Sequence, residues 1–408
     1  GCSEYPVSSK PMAMRTAHLP RAILSGGGAV GRLGALLDNL QLRRPLVVAD
    51  TFLASPQSGA VSKVVDALSP TVKDFAVFTD TISDPTTESV ARCVDALHRG
   101  NYDSIVALGG GSPMDTAKAA AVLSTHGGKM RDYKAPFMMD TPSLPIIAIP
   151  TTAGTGSEAT KFTVITDSET NEKMLCIGLA YLPIAAILDY ELTLSKPFRL
   201  TADTGIDAIC HAMEAFVSAK ANPISDGLAR SAMSKLSKSL YTACHNPSDG
   251  AAREAMLIGS CEAGMAFSNS SVTLIHGMSR PLGAAFHIPH GMCNAMLMPW
   301  CTSFSAPGAV ARYAEASRIM GLCETGACDE AAALGLHKSL QKISKDLSVP
   351  TLAGFGIDEA VFRKAVPAMA SAALASGSPN NNPIVPQVRQ IEELYHEIWD
   401  HGLQQATA

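Results

Sequence analysis

Asp207 and His211 stand four residues apart in Thr204-Gly205-Ile206-Asp207-Ala208-Ile209-Cys210-His211-Ala212-Met213-Glu214, a segment of helical character. On a helix that spacing puts a carboxylate and an imidazole on one face, one turn apart, and both are ligand types for a divalent metal. The same spacing also describes an ordinary helix contact. Two further histidines, His276 and His290, are each followed by a glycine in otherwise small or apolar surroundings. Singly, a histidine in such a setting reads as a satisfied core residue. Together, one carboxylate and three imidazoles suit a borderline ion such as Fe2+ or Zn2+. An ion with several neutral ligands and one anion keeps net positive charge and can act as a Lewis acid on a substrate oxygen.

A second kind of chemistry lies upstream. Leu108-Gly109-Gly110-Gly111-Ser112-Pro113-Met114-Asp115-Thr116-Ala117-Lys118 sits where an apolar strand hands over to a helix. The pattern predicts Ser112 as the N-cap, Pro113 in the first turn and Asp115 completing a capping-box-like arrangement. Three glycines let the backbone approach a phosphate closely, and a helix N-terminus presents its unpaired N–H groups. The spacing is neither the Walker nor the Gly-x-Gly-x-x-Gly pattern, and a plain tight turn before a capped helix also fits it. Two companions favour a cofactor crevice. Asp50 ends an earlier strand, where a carboxylate accepts hydrogen bonds from an adenosine ribose and repels a 2′-phosphate. Taken alone, it reads first as a turn or cap residue. Pro150-Thr151-Thr152-Ala153-Gly154-Thr155-Gly156-Ser157-Glu158 follows another apolar strand and brings hydroxyls and glycines to its carboxyl end.

These groups need elements to carry them. The first half alternates short apolar runs (residues 22–24, 45–50, 74–78, 104–108 and 144–149) with helical stretches ending at Leu40, over Ser62–Leu68 and Thr86–Arg99, and starting at Pro113. That alternation means βαβ units and a mainly parallel sheet. After about Leu192 strand signals nearly vanish. Long helical stretches follow at residues 202–218, 224–243, 251–267, 308–320, 330–347, 358–372 and 385–401. The expected organisation is an α/β domain over residues 1–192 and an all-helical domain over 193–408.

Composition narrows the class. The chain has 408 residues, against roughly 150 for a typical domain, so two or three domains are expected. Hydrophobic residues make up 47% and charged residues 17%, which excludes charge-driven disorder. A balance of 32 Lys+Arg against 37 Asp+Glu offers nothing basic enough for nucleic acid or an anionic membrane. The longest nearly unbroken apolar run, Leu179–Leu188, contains Pro183 and is far short of the ~20 residues of a spanning helix. Gly1-Cys2-Ser3-Glu4-Tyr5 has no basic flank before an apolar stretch, so no signal peptide is visible. Ten cysteines without a Cys-x-x-Cys pair read as reduced, mostly buried thiols. A soluble cytoplasmic protein is expected.

With these motifs in place, the chain resembles the iron-containing (group III) alcohol dehydrogenase family over nearly its whole length. The Gly109–Lys118 motif, the Thr151–Glu158 loop, the Asp207/His211 helix and the His276…His290 segment occur in that family's order and approximate spacing. Pro383 in Asn380-Asn381-Asn382-Pro383, ahead of a last helix bearing Trp399, is similar to its carboxyl end. The resemblance implies a dinucleotide-binding domain, a helical metal-binding domain and an active site in the cleft between them. It implies Asp207, His211, His276 and His290 as metal ligands, with Fe2+ the expected ion and Zn2+ an alternative. It implies Gly109, Gly110, Gly111, Ser112 and Asp115 as a pyrophosphate loop, Thr151 and Thr152 along the cofactor, and Lys173 on a ribose. Asp50 matches the acid favouring NAD over NADP. At least a homodimer is implied, with a small alcohol or aldehyde as substrate.

Two residues depart from the family pattern. Asp84 stands where many relatives have Asn near the adenosine, and Arg280 where many have a histidine close to metal and substrate. If 276–280 is helical, Arg280 lies one turn from His276 and faces the cleft, where a guanidinium suits an anionic tail. Pro281 can instead end the helix and swing Arg280 out to a surface carboxylate. His287 is either a proton relay, as imidazoles exchange protons near neutrality, or a structural loop histidine. The expected activity is NAD-dependent interconversion of an alcohol with an aldehyde or ketone. One alternative is a reductase for a small anionic aldehyde or hydroxy acid. A dehydroquinate-synthase-like lyase is a second, and a nucleotide-binding scaffold a third.

Overall fold

The structure, a computed structural model, describes residues 16–407. The amino-terminal stretch read for a leader, with Cys2, lies outside the described residues. The α/β half contains strands β1 (Ala22–Ser25), β2 (Pro45–Val48), β3 (Ala76–Phe78), β4 (Ser104–Gly109), β5 (Ile146–Pro150), β6 (Phe162–Thr166), β7 (Lys173–Ile177) and β8 (Ala185–Leu188). Helices α1 (Leu33–Asn39), α2 (Ala60–Leu68), α3 (Thr87–Gly100) and α4 (Gly111–His126) lie between them. Six strands form one sheet in the order β1-β8-β5-β4-β2-β3, with every neighbouring pair parallel.

The inner strands are apolar because both faces are covered. Alternate residues divide between two cores. Val47, Val106, Leu108, Ile147 and Ile149 pack with Leu33, Leu37 and Val64 on one face. Leu46, Val48, Ile105, Ile146 and Ala148 pack with Val90, Leu97 and Met114 on the other. Since the strands are parallel, the segments after β2, β4 and β5 leave the same edge. The strand order reverses between β2 and β4, the position where such sheets open a crevice. Asp50, Gly109–Gly111 and Thr151–Thr152 therefore share one edge.

The second half is helical: α5 (Phe198–Val217), α6 (Pro223–His245), α7 (Gly250–Ser268), α8 (Leu274–Phe286), α9 (His290–Ser305), α10 (Val310–Ile319), α11 (Asp329–Asp346), α12 (Glu359–Ala375) and α13 (Val388–Thr407). Buried along almost its whole length, α5 packs within a single large apolar cluster that includes Ile206, Phe216, Leu236, Leu297, Phe362 and Tyr395.

Four features differ from the sequence expectation. The run 179–188 ends in β8, an inner strand of the sheet. Strands β6 and β7 pair as a separate antiparallel hairpin, although the β-branched and aromatic run of β6 was not read as a strand. Helix was expected within 274–305 only conditionally, over 276–280, whereas α8 and α9 run through it with Pro281 and Pro299 inside them. Ser112 is not the N-cap of α4: Gly110 is, with no side-chain capping bond. Gly109 at φ 149° turns the chain early, so Ser112 and Asp115 already sit on the helix and neither caps it. Among the described residues, all nine cysteines are free and seven are buried, and no helix is long and apolar enough to cross a membrane.

Candidate metal and cofactor site

Three helices converge on the ligand cluster. Asp207 and His211 share a face of α5, His276 lies in the first turns of α8, and His290 begins α9. One ligand atom from each lies within 4.8 Å of all the others. His276 Nε2 is 3.4 Å from Asp207 Oδ1, and the Nε2 atoms of His211 and His290 are each 3.9 Å from it. Asp207, His211 and His276 are buried, whereas the His290 side chain is 47% exposed and marks the open side.

The electrostatics follow from this crowding. Burial would raise the Asp207 carboxyl, yet the three imidazoles hold it well below the usual carboxylate range. Desolvation pulls His211 and, despite its open side, His290 down to about 4, so both rings are neutral at pH 7. His276 is pushed up to about 9 against its burial, because Glu214 and Asp207 flank it. His211 Nδ1 is 3.2 Å from the Gly154 carbonyl, which fixes its proton there and leaves Nε2 free.

Two residues that sequence reasoning passed over complete the cluster. Glu214, seven residues after Asp207 on the same face of α5, is buried, and its Oε2 accepts from His276 Nδ1. Its Oε1 accepts from Thr273 Oγ1 at 2.9 Å and from the Ile275 amide at 2.7 Å. The i, i+7 spacing was the available signal. Asn294, one turn after His290, donates from Nδ2 to Asp207 Oδ1 at 2.6 Å, and its own buried Oδ1 has no hydrogen-bond partner among the described residues. Three imidazole nitrogens and a carboxylate oxygen at one point are a donor set suited to Fe2+ or Zn2+. The residues fit such an ion.

At the sheet edge, the Thr151 amide donates to the Gly109 carbonyl at 3.0 Å, so the two loops touch. A Cβ on Gly156 (φ 60°) would lie 2.5 Å from Gly264 Cα, so only glycine lets this loop seat on α7. Lys118 is fully buried and staples α4 to the segment that follows: Nζ donates to Ser157 Oγ (3.0 Å), Thr160 Oγ1 (3.1 Å) and the carbonyls of Thr160 (3.0 Å) and Phe162 (2.9 Å). Burial pulls Lys118 down to about 8 and pushes Asp115 up to about 7. Asp50 lies just past β2 and accepts from the Leu53 amide at 2.8 Å. Its immediate sequence holds no cation, but Lys196 of the connection to the helical half feels its charge, and Nζ stands 5.7 Å from the Phe52 ring centroid. Lys173 and Asp84 form an exposed ion pair at 2.9 Å, with Asp84 at φ 51°.

His287 is exposed and ends α8 at φ 54°. Pro281 does not end that helix, so Arg280 is not swung out to a surface carboxylate. Half-buried, it reaches across to the segment before the last helix, and its one hydrogen bond among the described residues runs from Nη1 to Ser378 Oγ at 3.2 Å.

A parallel α/β half whose glycine loops share one edge, joined to a helical half bearing a three-histidine, one-aspartate cluster, defines a metal-dependent dinucleotide oxidoreductase. The family model for iron-containing alcohol dehydrogenase matches residues 20–190, and that for the C-terminal part of the Fe-containing alcohol dehydrogenase family matches 201–399. The chain is 35% identical to the NAD-dependent methanol dehydrogenase of Bacillus methanolicus, over 93% of this chain and 99% of that one. It superposes on a crystal structure of 1,3-propanediol oxidoreductase with a TM-score of 0.90 at 32% identity, covering 95% of this chain and 100% of the other. For sulfoacetaldehyde reductase from Bifidobacterium kashiwanohense in complex with NAD+ the TM-score is 0.84 at 28% identity, covering 95% and 99%. This chain belongs to the iron-containing alcohol dehydrogenase family. It is an NAD-dependent, metal-dependent oxidoreductase that interconverts alcohols and carbonyl compounds, which answers the lyase and scaffold alternatives.

Proposed function

We propose that the substrate carbonyl or alcohol oxygen is handled at the Asp207–His211–His276–His290 cluster, and that residues 1–192 hold the nicotinamide cofactor against it. The convergence of those four ligand atoms within 4.8 Å carries this reading. Bound there, iron supplies a Lewis acid for the substrate oxygen. The chain's own residues do the rest. Gly109, Gly110, Gly111 and Ser112, at the start of α4, cradle the pyrophosphate with backbone N–H groups, and Asp115 and the Lys118 staple hold that helix to the following loop. Thr151 and Thr152 line the cofactor, Asp50 accepts from the adenosine ribose, and the Lys173–Asp84 pair borders the second sugar. His211, bonded to the Gly154 carbonyl, ties the metal ligands to the cofactor loop. Glu214 keeps the His276 proton on Nδ1, so that Nε2 faces the cluster. His287, exposed and three residues before His290, passes the alcohol proton to solvent.

The substrate range of the relatives, named for methanol, 1,3-propanediol and sulfoacetaldehyde, leaves both neutral and anionic small molecules as candidates here. A homodimer or larger homo-oligomer is proposed on the family resemblance, and cytoplasmic residence on the free, mostly buried thiols. The test is metal analysis paired with NADH formation from short alcohols. Activity is expected to disappear on chelation and return with Fe2+ or Zn2+. NAD-dependent oxidation that persists in fully metal-free protein would overturn the proposal.

A further inference from the structure

A guanidinium offers five N–H donors and loses much of its hydration when buried, so buried arginines are normally matched by a carboxylate. Arg280 is not. Arg280 is half-buried, loss of hydration lowers its pKa, its one hydrogen bond among the described residues goes to a neutral hydroxyl, Ser378 Oγ, and no carboxylate among those residues lies within salt-bridge distance. The acid whose field reaches it, Glu214, already spends its oxygens on His276, Thr273 and Ile275. Arg280 follows His276 by one helical turn, on the same face of α8. Its charge is felt at His290, the half-exposed ligand. The chain therefore keeps an uncompensated cation beside the open side of the metal cluster.

The surroundings repeat the sign. Ser378 leads into a 3-10 turn, Pro379–Asn381, which is held against the end of α5 by a 2.8 Å bond from the Ala219 amide to the Asn381 carbonyl. Lys220 follows Ala219, and its like charge acts on half-buried Lys161, where burial lowers the pKa and Asp140 opposes. Lys161 precedes Phe162, which stacks on Phe267 at 5.9 Å. Phe267 in turn stacks on the ligand His211 at 4.3 Å. A row of stacked rings, Phe162, Phe267 and His211, thus leads to the metal ligands.

We propose that Arg280 and Ser378 form an anion pocket beside the metal cluster, and that the substrate is a short aldehyde, or its alcohol, ending in a carboxylate, sulfonate or phosphonate. The proposal rests on the alcohol–aldehyde activity stated above. The anion supplies the counter-charge that Arg280 lacks, through the fork geometry that a guanidinium presents to such groups. Four residues of helix rise about 6 Å, which limits the chain between carbonyl and anion to roughly two to four carbons.

The experiment measures kcat/KM with NADH for 4-oxobutanoate and for its neutral isostere 4-methylpentanal, in the wild type and in Arg280→Met and Arg280→Lys. In parallel, binding of propane-1-sulfonate to the enzyme–NADH complex is followed by NADH fluorescence. The wild type is expected to favour the anionic aldehyde by about tenfold or more. Arg280→Met should erase that ratio and weaken sulfonate binding by at least as much, while Arg280→Lys should recover part of both. A wild type without the preference, or an Arg280→Met protein that keeps it, overturns the anion pocket while leaving the alcohol–aldehyde activity intact. Failure to reduce either aldehyde with NADH, by contrast, counts against the activity itself. Sulfonate binding then still decides the pocket, standing if Arg280→Met abolishes it and falling if that variant binds like the wild type.

Discussion

Replacing Glu214 by glutamine keeps shape and volume and changes one atom's chemistry. As a carboxylate, Glu214 has two acceptor oxygens, and both are in use. One faces His276 Nδ1, and the other faces Thr273 Oγ1 and the Ile275 amide. An amide has only one acceptor, so either orientation of the introduced glutamine sets its NH2 against a buried donor. If the NH2 faces His276, the imidazole escapes the clash by moving its proton to Nε2, the atom that points at the cluster. If it faces Ile275, a buried amide is stranded at a cost of about 1–3 kcal/mol. Outer hydrogen-bond partners of metal-bound histidines are typically worth roughly 10–100-fold in metal affinity. The expected loss is thus about 1.4–2.8 kcal/mol of binding free energy. The assay is a chelator competition for Zn2+ or Fe2+ at neutral pH, with circular dichroism confirming that the metal-free fold survives. Should the Glu214→Gln protein hold metal within twofold of the wild type, the positioning argument fails.

Asp207→Ala and His276→Ala should each lose bound metal and activity while keeping the helical fold, since the large apolar cluster around α5 does not depend on the ion. Metal analysis and circular dichroism check this, and wild-type turnover in either mutant under full chelation refutes it. NAD should be preferred over NADP, with Asp50→Gly relaxing the ratio. Lys196→Met should sharpen it, because that cation offsets part of the Asp50 charge. Equal kcat/KM for both cofactors in the wild type would show that Asp50 does not face the ribose. Burial raises the Glu158 carboxyl from 4.5 to about 7, and its Oε1 has no hydrogen-bond partner among the described residues. A carboxyl raised in this way gives stability that is complete below about pH 4.5 and lost as pH climbs through about 7. Glu158→Gln removes that slope, so the mutant's Tm relative to wild type should climb between about pH 5 and pH 8. A difference that stays flat with pH would contradict the assignment.

How much of this was readable before folding depends on the range of each interaction. The Asp207/His211 pair, the glycine loops and the strand–helix alternation are local patterns, set by the roughly 3.6-residue helix period and by parallel strands covered on both faces. Those periods state which residues share a face but not what the face meets. Glu214 stood in plain view on the Asp207 face, yet its donor His276 is 62 residues away. Lys118 was part of a recognised motif, but its acceptors lie 39 to 44 residues downstream. The cation near Asp50 comes from the other half of the chain, and no window around residue 50 contains it. Arg280 was ambiguous from sequence because a proline after it permits either a helix end or a continuing helix. Packing of Pro379 against Gly277 and the bond to Ser378 accompany the continuing helix. Residue type and spacing thus determined the ligand chemistry and the layered architecture. Orientation, protonation and charge compensation were decided only where distant segments close on one another, because burial and Coulomb energy depend on distance in space and not along the chain.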